Sequence, residues 1–218
     1  MLPTLARVAF AAMSSLSSVQ DLPPYRADEV VTVLCDAFHD YPVMRYIISD
    51  AADDYDTRLR ELIGFFVAAR VLRNEPMIAV SDGEQVVAVA TMTPPGQREA
   101  PQEFFDRRER VWHMLGTDAQ ARYDEFGTVW QLVGVTEPNL HLNMIGVRRS
   151  HTGAGLGRIL LDRVHEMSEE DSASTGVSLT TEDVRNVPLY RYFGYETVGH
   201  QNITDGLDTW GFFRPNPS

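Results

Sequence analysis

The sequence is poor in cysteine, in long apolar runs and in repeats, and each shortage excludes something. With Cys35 as the single cysteine, no internal disulfide can form. One thiol inside the apolar-periodic residues 30–38 fits packing in a reducing cytoplasm better than nucleophilic chemistry. No apolar run reaches the ~20 residues of a membrane-spanning helix. Residues 1–18 are apolar and small, but Arg7 splits them and a basic start is missing. They read as a leading helix or extended start rather than a secretory signal. No repeat or low-complexity linker divides the 218 residues. The expectation is a short extension over 1–20 and one domain over 21–218, large enough to bury a core.

Basic residues are also scarce: 19 against 31 acidic ones, for a formal charge of −12. Phosphate neutralisation needs a net basic face, so a general nucleic-acid binder is disfavoured. An acidic surface is compatible with steering a cationic substrate such as an amine inward, and it equally serves solubility.

Hydrophobic spacing predicts helices over 28–38, with Asp28 placed to cap, and over 56–72. Residues 77–81 and 85–92 are β-branched runs around Asp82-Gly83-Glu84, a hairpin signature. Residues 101–115 and 119–133 read as helices whose aromatic stripes belong to the core. A strand over 140–147 follows, then a glycine-rich turn and a helix over 156–167. Residues 176–181 read as a strand, 187–193 as a short helix, and 195–199 and 209–213 as closing strands. Helices and strands alternate with hairpins at both ends, which gives an α/β (α+β) class with a mixed sheet.

The chemistry concentrates in residues 144–161, Met-Ile-Gly-Val-Arg-Arg-Ser-His-Thr-Gly-Ala-Gly-Leu-Gly-Arg-Ile-Leu-Leu. A strand runs into Gly153, Gly155 and Gly157, and an apolar helix follows at once. Glycines let the backbone approach a phosphate, and the N–H groups opening a helix point at the anion. The dinucleotide pattern G-x-G-x-x-G fails, because its third glycine position holds Arg158. The nucleoside-triphosphate pattern fails because the loop has no lysine. A mere strand-to-helix turn is the alternative, although it needs fewer glycines.

At these residues the chain resembles the GNAT superfamily of acetyltransferases, whose loop runs from a valine-ended strand through Gln/Arg-x-x-Gly-x-Gly/Ala. Val147 ends the strand, and Gly155 and Gly157 match the paired glycines. Thr152 stands where Gln or Arg is usual, a departure that leaves the backbone cradle intact. The resemblance implies a mostly antiparallel sheet with a splay between the strand ending near Val147 and the one starting near Gly176. It implies acetyl-CoA as co-substrate. Its pantetheine arm and thioester would pair with the backbone of Ile145, Gly146 and Val147. The pyrophosphate would sit on Gly153, Ala154, Gly155, Leu156, Gly157 and Arg158. Arg148, Arg149 and Arg158 form a basic cluster suited to the coenzyme's phosphates; for Arg148 and Arg149 ordinary solvated charge is an equal reading.

Residues 180–195 are similar to the superfamily's second signature, with Asn186 opening a helix and Tyr190 four residues before Gly194. The resemblance makes Tyr190 the general acid that returns a proton to the departing thiolate; plain packing is its alternative. Asn186 either caps its helix or holds the pantetheine arm. Residues 36–42, the Asn-Val-Pro-Leu-Tyr segment and residues 208–215 resemble the branch of small-molecule enzymes containing puromycin N-acetyltransferase.

The attacking ammonium must lose a proton. Candidates for the base are His141, Asn143 and Glu182. Asparagine cannot accept a proton, though related enzymes carry a carboxylate where Asn143 stands. His141 has a suitable unperturbed pKa and is the assigned base, with a structural role or relay through water as alternatives. The expected function is transfer of an acetyl group to a primary amine of a small molecule, by a cytoplasmic monomer or homodimer without nucleic-acid or membrane partners. Acetylation of protein lysines or N-termini, and non-catalytic sensing of acyl-CoA, are the competing functions.

Overall fold

The structure is a computed structural model that describes residues 16–49, 53–96 and 99–217. The leading helix or extended start expected over residues 1–18 lies outside the described residues, apart from 16–18. There the chain is extended: Leu16 bridges Asp82, the Ser17 N–H donates to the Ser81 carbonyl, and β1 (Gln20–Asp21) pairs with β2. The sheet therefore takes in residues within the span expected to be an extension.

After β1 come helices α1 (Ala27–Phe38), α2 (Pro42–Ile48) and α3 (Tyr55–Leu72). The hairpin β2 (Met77–Asp82) and β3 (Gln85–Thr93) follows, then the helices α4 (Gln102–Leu115) and α5 (Thr117–Trp130). Next are β4 (Leu140–Val147), α6 (Leu156–Glu170), β5 (Gly176–Thr181), α7 (Val187–Tyr192), β6 (Glu196–Thr204) and β7 (Leu207–Pro215). The seven strands lie in the order β1-β2-β3-β4-β5-β7-β6, antiparallel except for β4 beside β5.

The sheet is covered on both faces, which is why β2 and β3 read as unbroken apolar runs. On one face Met77, Ala79, Val86 and Val89 share a core with α1 to α5 through Leu34, Ile47, Leu62, Trp112 and Ala119. On the other, Ile78, Val80, Val87 and Ala90 meet α6 and α7 through Leu156, Leu160, Val164 and Val187. Each such aliphatic side chain contributes roughly 1.5–3 kcal/mol when removed from water.

Two details differ from the sequence expectation. Asp28 does not cap α1: Arg26 holds the cap position, and the Asp28 carboxylate in the first turn accepts from Arg60. The segment 42–48, which carried no expectation, is helical because Pro42 occupies the first turn, where a missing N–H costs nothing.

Two irregularities place the site. Thr91 pairs with Met144 while Met92 pairs with Leu142, so Asn143 is an extra, bulged residue in β4. The bulge turns the following residues over. Leu142 packs toward α6, but Met144 packs toward α1, where simple alternation would put both on one face. Then β4 and β5 part. They pair only at Leu140–Val177 and His141–Ser178, after which β5 stays with β7 through Thr181. Beyond His141 the edge of β4 toward β5 has no strand partner among the described residues.

Candidate active site

The loop from β4 to α6 presents a row of unused donors. Gly153 (φ 80°) and Gly155 (φ 79°) are left-handed, a conformation that side chains resist. Helical bonding resumes only when the Ile159 N–H reaches the Gly155 carbonyl. The N–H groups of Gly153, Ala154, Gly155, Leu156, Gly157 and Arg158 therefore have no acceptor among the described residues. A Cβ on any of the three glycines would meet open space, so their bareness serves no internal packing. Six consecutive donors at the positive end of a fifteen-residue helix make a ready anion cradle.

Of the three arginines expected to add charge here, two are committed elsewhere. The Arg148 guanidinium donates to the Val86 carbonyl, tying the loop to β3. Arg149 donates to the Asp36 carbonyl and pairs with Asp40 at 2.8 Å. Arg158 is the exception: exposed, it lies 5.0 Å from the Phe193 ring centre and donates to the Tyr192 hydroxyl. Thr152 bonds back to the Arg149 carbonyl, shaping the turn.

At the splay, Tyr41 from the α1–α2 junction reaches across to the end of β5. Its hydroxyl lies 2.9 Å from Thr181 Oγ1 and accepts the Glu182 N–H. Glu182 is buried, and its Oε1 accepts from the Thr209 hydroxyl at 2.8 Å. Burial pushes this carboxyl up to about 7, while the hydroxyls of Thr209 and Tyr41 restrain the rise. Tyr190 is also buried, 5.8 Å from the Tyr195 ring and 5.6 Å from Phe212. Its hydroxyl has no hydrogen-bond partner among the described residues. Burial first, and the Glu182 charge second, hold it as a phenol well above the usual tyrosine range. Asn186 holds the N-cap position of α7 without a side-chain capping bond; its Nδ2 donates instead to Thr181 Oγ1 at 3.1 Å, beside Tyr41.

His141 stands at the last paired position of β4. Ser178 gives its proton to Asn139, so its Oγ accepts from His141 Nδ1, at 2.8 Å. That fixes the neutral tautomer and leaves Nε2 as an acceptor. Burial, with a smaller contribution from Arg70, lowers this imidazole to about 4. Beside it Asn143 Oδ1 accepts from the Thr93 hydroxyl at 3.0 Å, and Thr93 accepts from Arg70 at 2.6 Å. Arg70 Nε lies 2.7 Å from the buried Glu75 carboxylate, its N–H off the line, so this contact is an ion pair rather than an aligned hydrogen bond.

The structure thus brings Tyr190, Glu182 and Asn186 around the splay and the cradle to its mouth, with His141 where the strands part. Sequence reasoning gave no role to Tyr41 or Thr209, although both lie in the segments 36–42 and 208–215 that carry the branch resemblance; their contacts with Glu182 form only in the fold, and Tyr41 meets it across 141 positions.

The model of the acetyltransferase (GNAT) domain matches residues 93–211. No curated protein sequence matches the chain. Among solved structures, the histone acetyltransferase HPA2 and related acetyltransferase of Corynebacterium glutamicum superposes with a TM-score of 0.69 at 18% identity, covering 92% of this chain and 97% of that one. The polyamine N-acetyltransferase of Drosophila melanogaster gives 0.60 at 14% identity, over 91% and 98%. The acetyltransferase yncA of Salmonella typhimurium, solved with acetyl-CoA, gives 0.53 at 15%, over 94% and 95%. The family match spans more than half the sequence and contains both the free-donor loop and the splay, and on that ground the chain belongs to the GNAT family of acetyl-CoA-dependent N-acetyltransferases.

Proposed function

We propose that the protein acetylates the primary amine of a small molecule in the cytoplasm, with Glu182 as proton acceptor and Tyr190 as proton donor. The observation that carries the reading is the six-donor cradle at the mouth of a sheet whose strands have parted. Gly153 to Arg158 would hold the pyrophosphate, and the unpaired edge of β4 at Ile145, Gly146 and Val147 would receive the pantetheine arm as a strand does. Small acceptors are favoured because α5 packs against both α2 and β6 and closes over this end of the sheet.

In this reading the Glu182 carboxylate takes a proton from the bound ammonium, and the amine nitrogen then bonds to the thioester carbon. The C–S bond breaks, and Tyr190 gives its phenolic proton to the departing sulfur. A carboxyl near 7 is a better acceptor at neutral pH than an imidazole near 4, so Glu182 takes precedence over His141. Coenzyme A should raise the thermal midpoint, and an amine panel should release free thiol from acetyl-CoA. Tyr190→Phe should slow that release about 10²-fold or more while coenzyme protection persists. An unchanged rate removes Tyr190 from the mechanism, and lack of protection by coenzyme A removes the reading.

A further inference from the structure

Away from the splay, α4 turns into α5 beside a cleft of about 710 Å³, a volume usual for small-molecule sites. Half-exposed Phe105 and buried Trp112 give it apolar walls, and Tyr123 backs the Trp112 ring at 4.8 Å. The Trp112 indole N–H has no acceptor among the described residues. Such an orphan is a standing cost that a bound acceptor atom removes.

In an acidic chain this cleft is basic: Arg108 and Arg110 line it, and Glu109 is the one carboxylate among its lining side chains. Arg108, Arg110 and their neighbour Arg107, which lies beside Gly64 of α3, have no hydrogen bond or ion pair among the described residues. Every other described arginine is engaged, by a carboxylate, a hydroxyl, a backbone carbonyl or, for Arg73, the Phe104 ring. The first turn of α5 adds to the same charge. Thr117 and Gln120 stand on the rim, no side chain caps this helix, and the N–H groups of Thr117, Asp118 and Ala119 have no acceptor among the described residues. Trp130, which walls His141 edge-on at 5.6 Å and donates to Thr180, ends the same helix. About 20 Å of α5 therefore separates the cleft from the splay.

We propose that the cleft is a second binding site, for a small organic anion. A ring lies against Phe105 and Trp112, and a carboxylate or phosphate on it is held by Arg108, Arg110 and the opening N–H groups of α5. Two uncommitted guanidinium forks select planar or tetrahedral oxyanions and repel cations, and the apolar walls favour an anion with a ring over a bare ion.

The test follows the three indole N–H resonances of the full chain by NMR, with Trp112→Phe identifying the one from Trp112. Coenzyme A is kept saturating, so that the glycine loop is filled. 2-Naphthoate or 2-naphthyl phosphate should shift the Trp112 resonance saturably, and which of them binds more tightly separates a carboxylate from a phosphate ligand. Neutral 2-naphthamide should bind at least about tenfold more weakly. Arg108→Gln with Arg110→Gln should weaken the anion about tenfold or more, whereas Arg107→Gln, off the cleft on the same helix, should bind as the wild type does. These side chains hold no internal contacts, so the thermal midpoint without ligand should stay put. No saturable shift at Trp112 with either anion, equal binding of the amide, or an equal loss in Arg107→Gln, overturns the proposal. The readout needs no turnover, so these outcomes are separate from the fate of the acetyl-transfer reading.

Discussion

Among single residues, Glu182 and Gly157 make the sharpest expectations. Glu182 titrates near 7, so kcat/KM should rise with pH along an acid limb centred there. Tyr41→Phe or Thr209→Val removes one donor to the carboxylate and should move the limb up by about one pH unit. Glu182→Gln should flatten it. The same carboxyl, raised in the folded state, contributes stability that is present below the usual carboxylate range and is lost as pH rises through about 7. Gly157 separates folding from binding. Its φ is ordinary and a Cβ there meets nothing, so Gly157→Ala should stabilise the free protein by about 0.5–1 kcal/mol. The same methyl group would stand in the anion cradle, and calorimetry should show weaker coenzyme A binding. Cys35 is correspondingly quiet: burial pushes its thiol up to about 11, so it is a packing residue, as its place in the apolar stripe indicates.

Among elements, β4, β5 and the helix after the loop were legible in the sequence because local rules govern them: an apolar run, a glycine turn, a 3.6-residue stripe. The strand Leu140–Val147 and the start of α6 at Leu156 fall where the pattern puts them. The bulge at Asn143 was not legible, since it is set by register against β3 and no residue type announces it. Nor was the Tyr41 contact, which exists only after two distant elements dock. The helices α4 and α5 were expected, but not how closely the segment after them approaches the β6–β7 hairpin. Val133 sits on bare backbone at Gly199 and Gly211, and a Cβ at Gly211 would overlap the Val133 carbonyl oxygen. Gly211→Ala should therefore cost about 1–3 kcal/mol in urea unfolding. It should also loosen the Trp130 wall and raise KM for the amine more than KM for acetyl-CoA.

At the scale of the whole molecule, every one of the 19 basic residues is arginine; the chain has no lysine. A guanidinium stays charged and is a poor nucleophile for a thioester. Prolonged incubation with acetyl-CoA should therefore leave the intact mass carrying at most one acetyl group, on the terminal amine. A ladder of added acetyl masses would contradict this. The negative excess of charge makes the design of the coenzyme loop consequential. A polyanion must approach a surface of its own sign, and the grip that awaits it is built from peptide nitrogens rather than titrating side chains. Such nitrogens neither gain nor lose protons anywhere in the working range of an enzyme. In the proposed mechanism acidity should therefore throttle the transfer step at Glu182 while leaving the hold on the diphosphate untouched, so the protein would stay loaded while it waits.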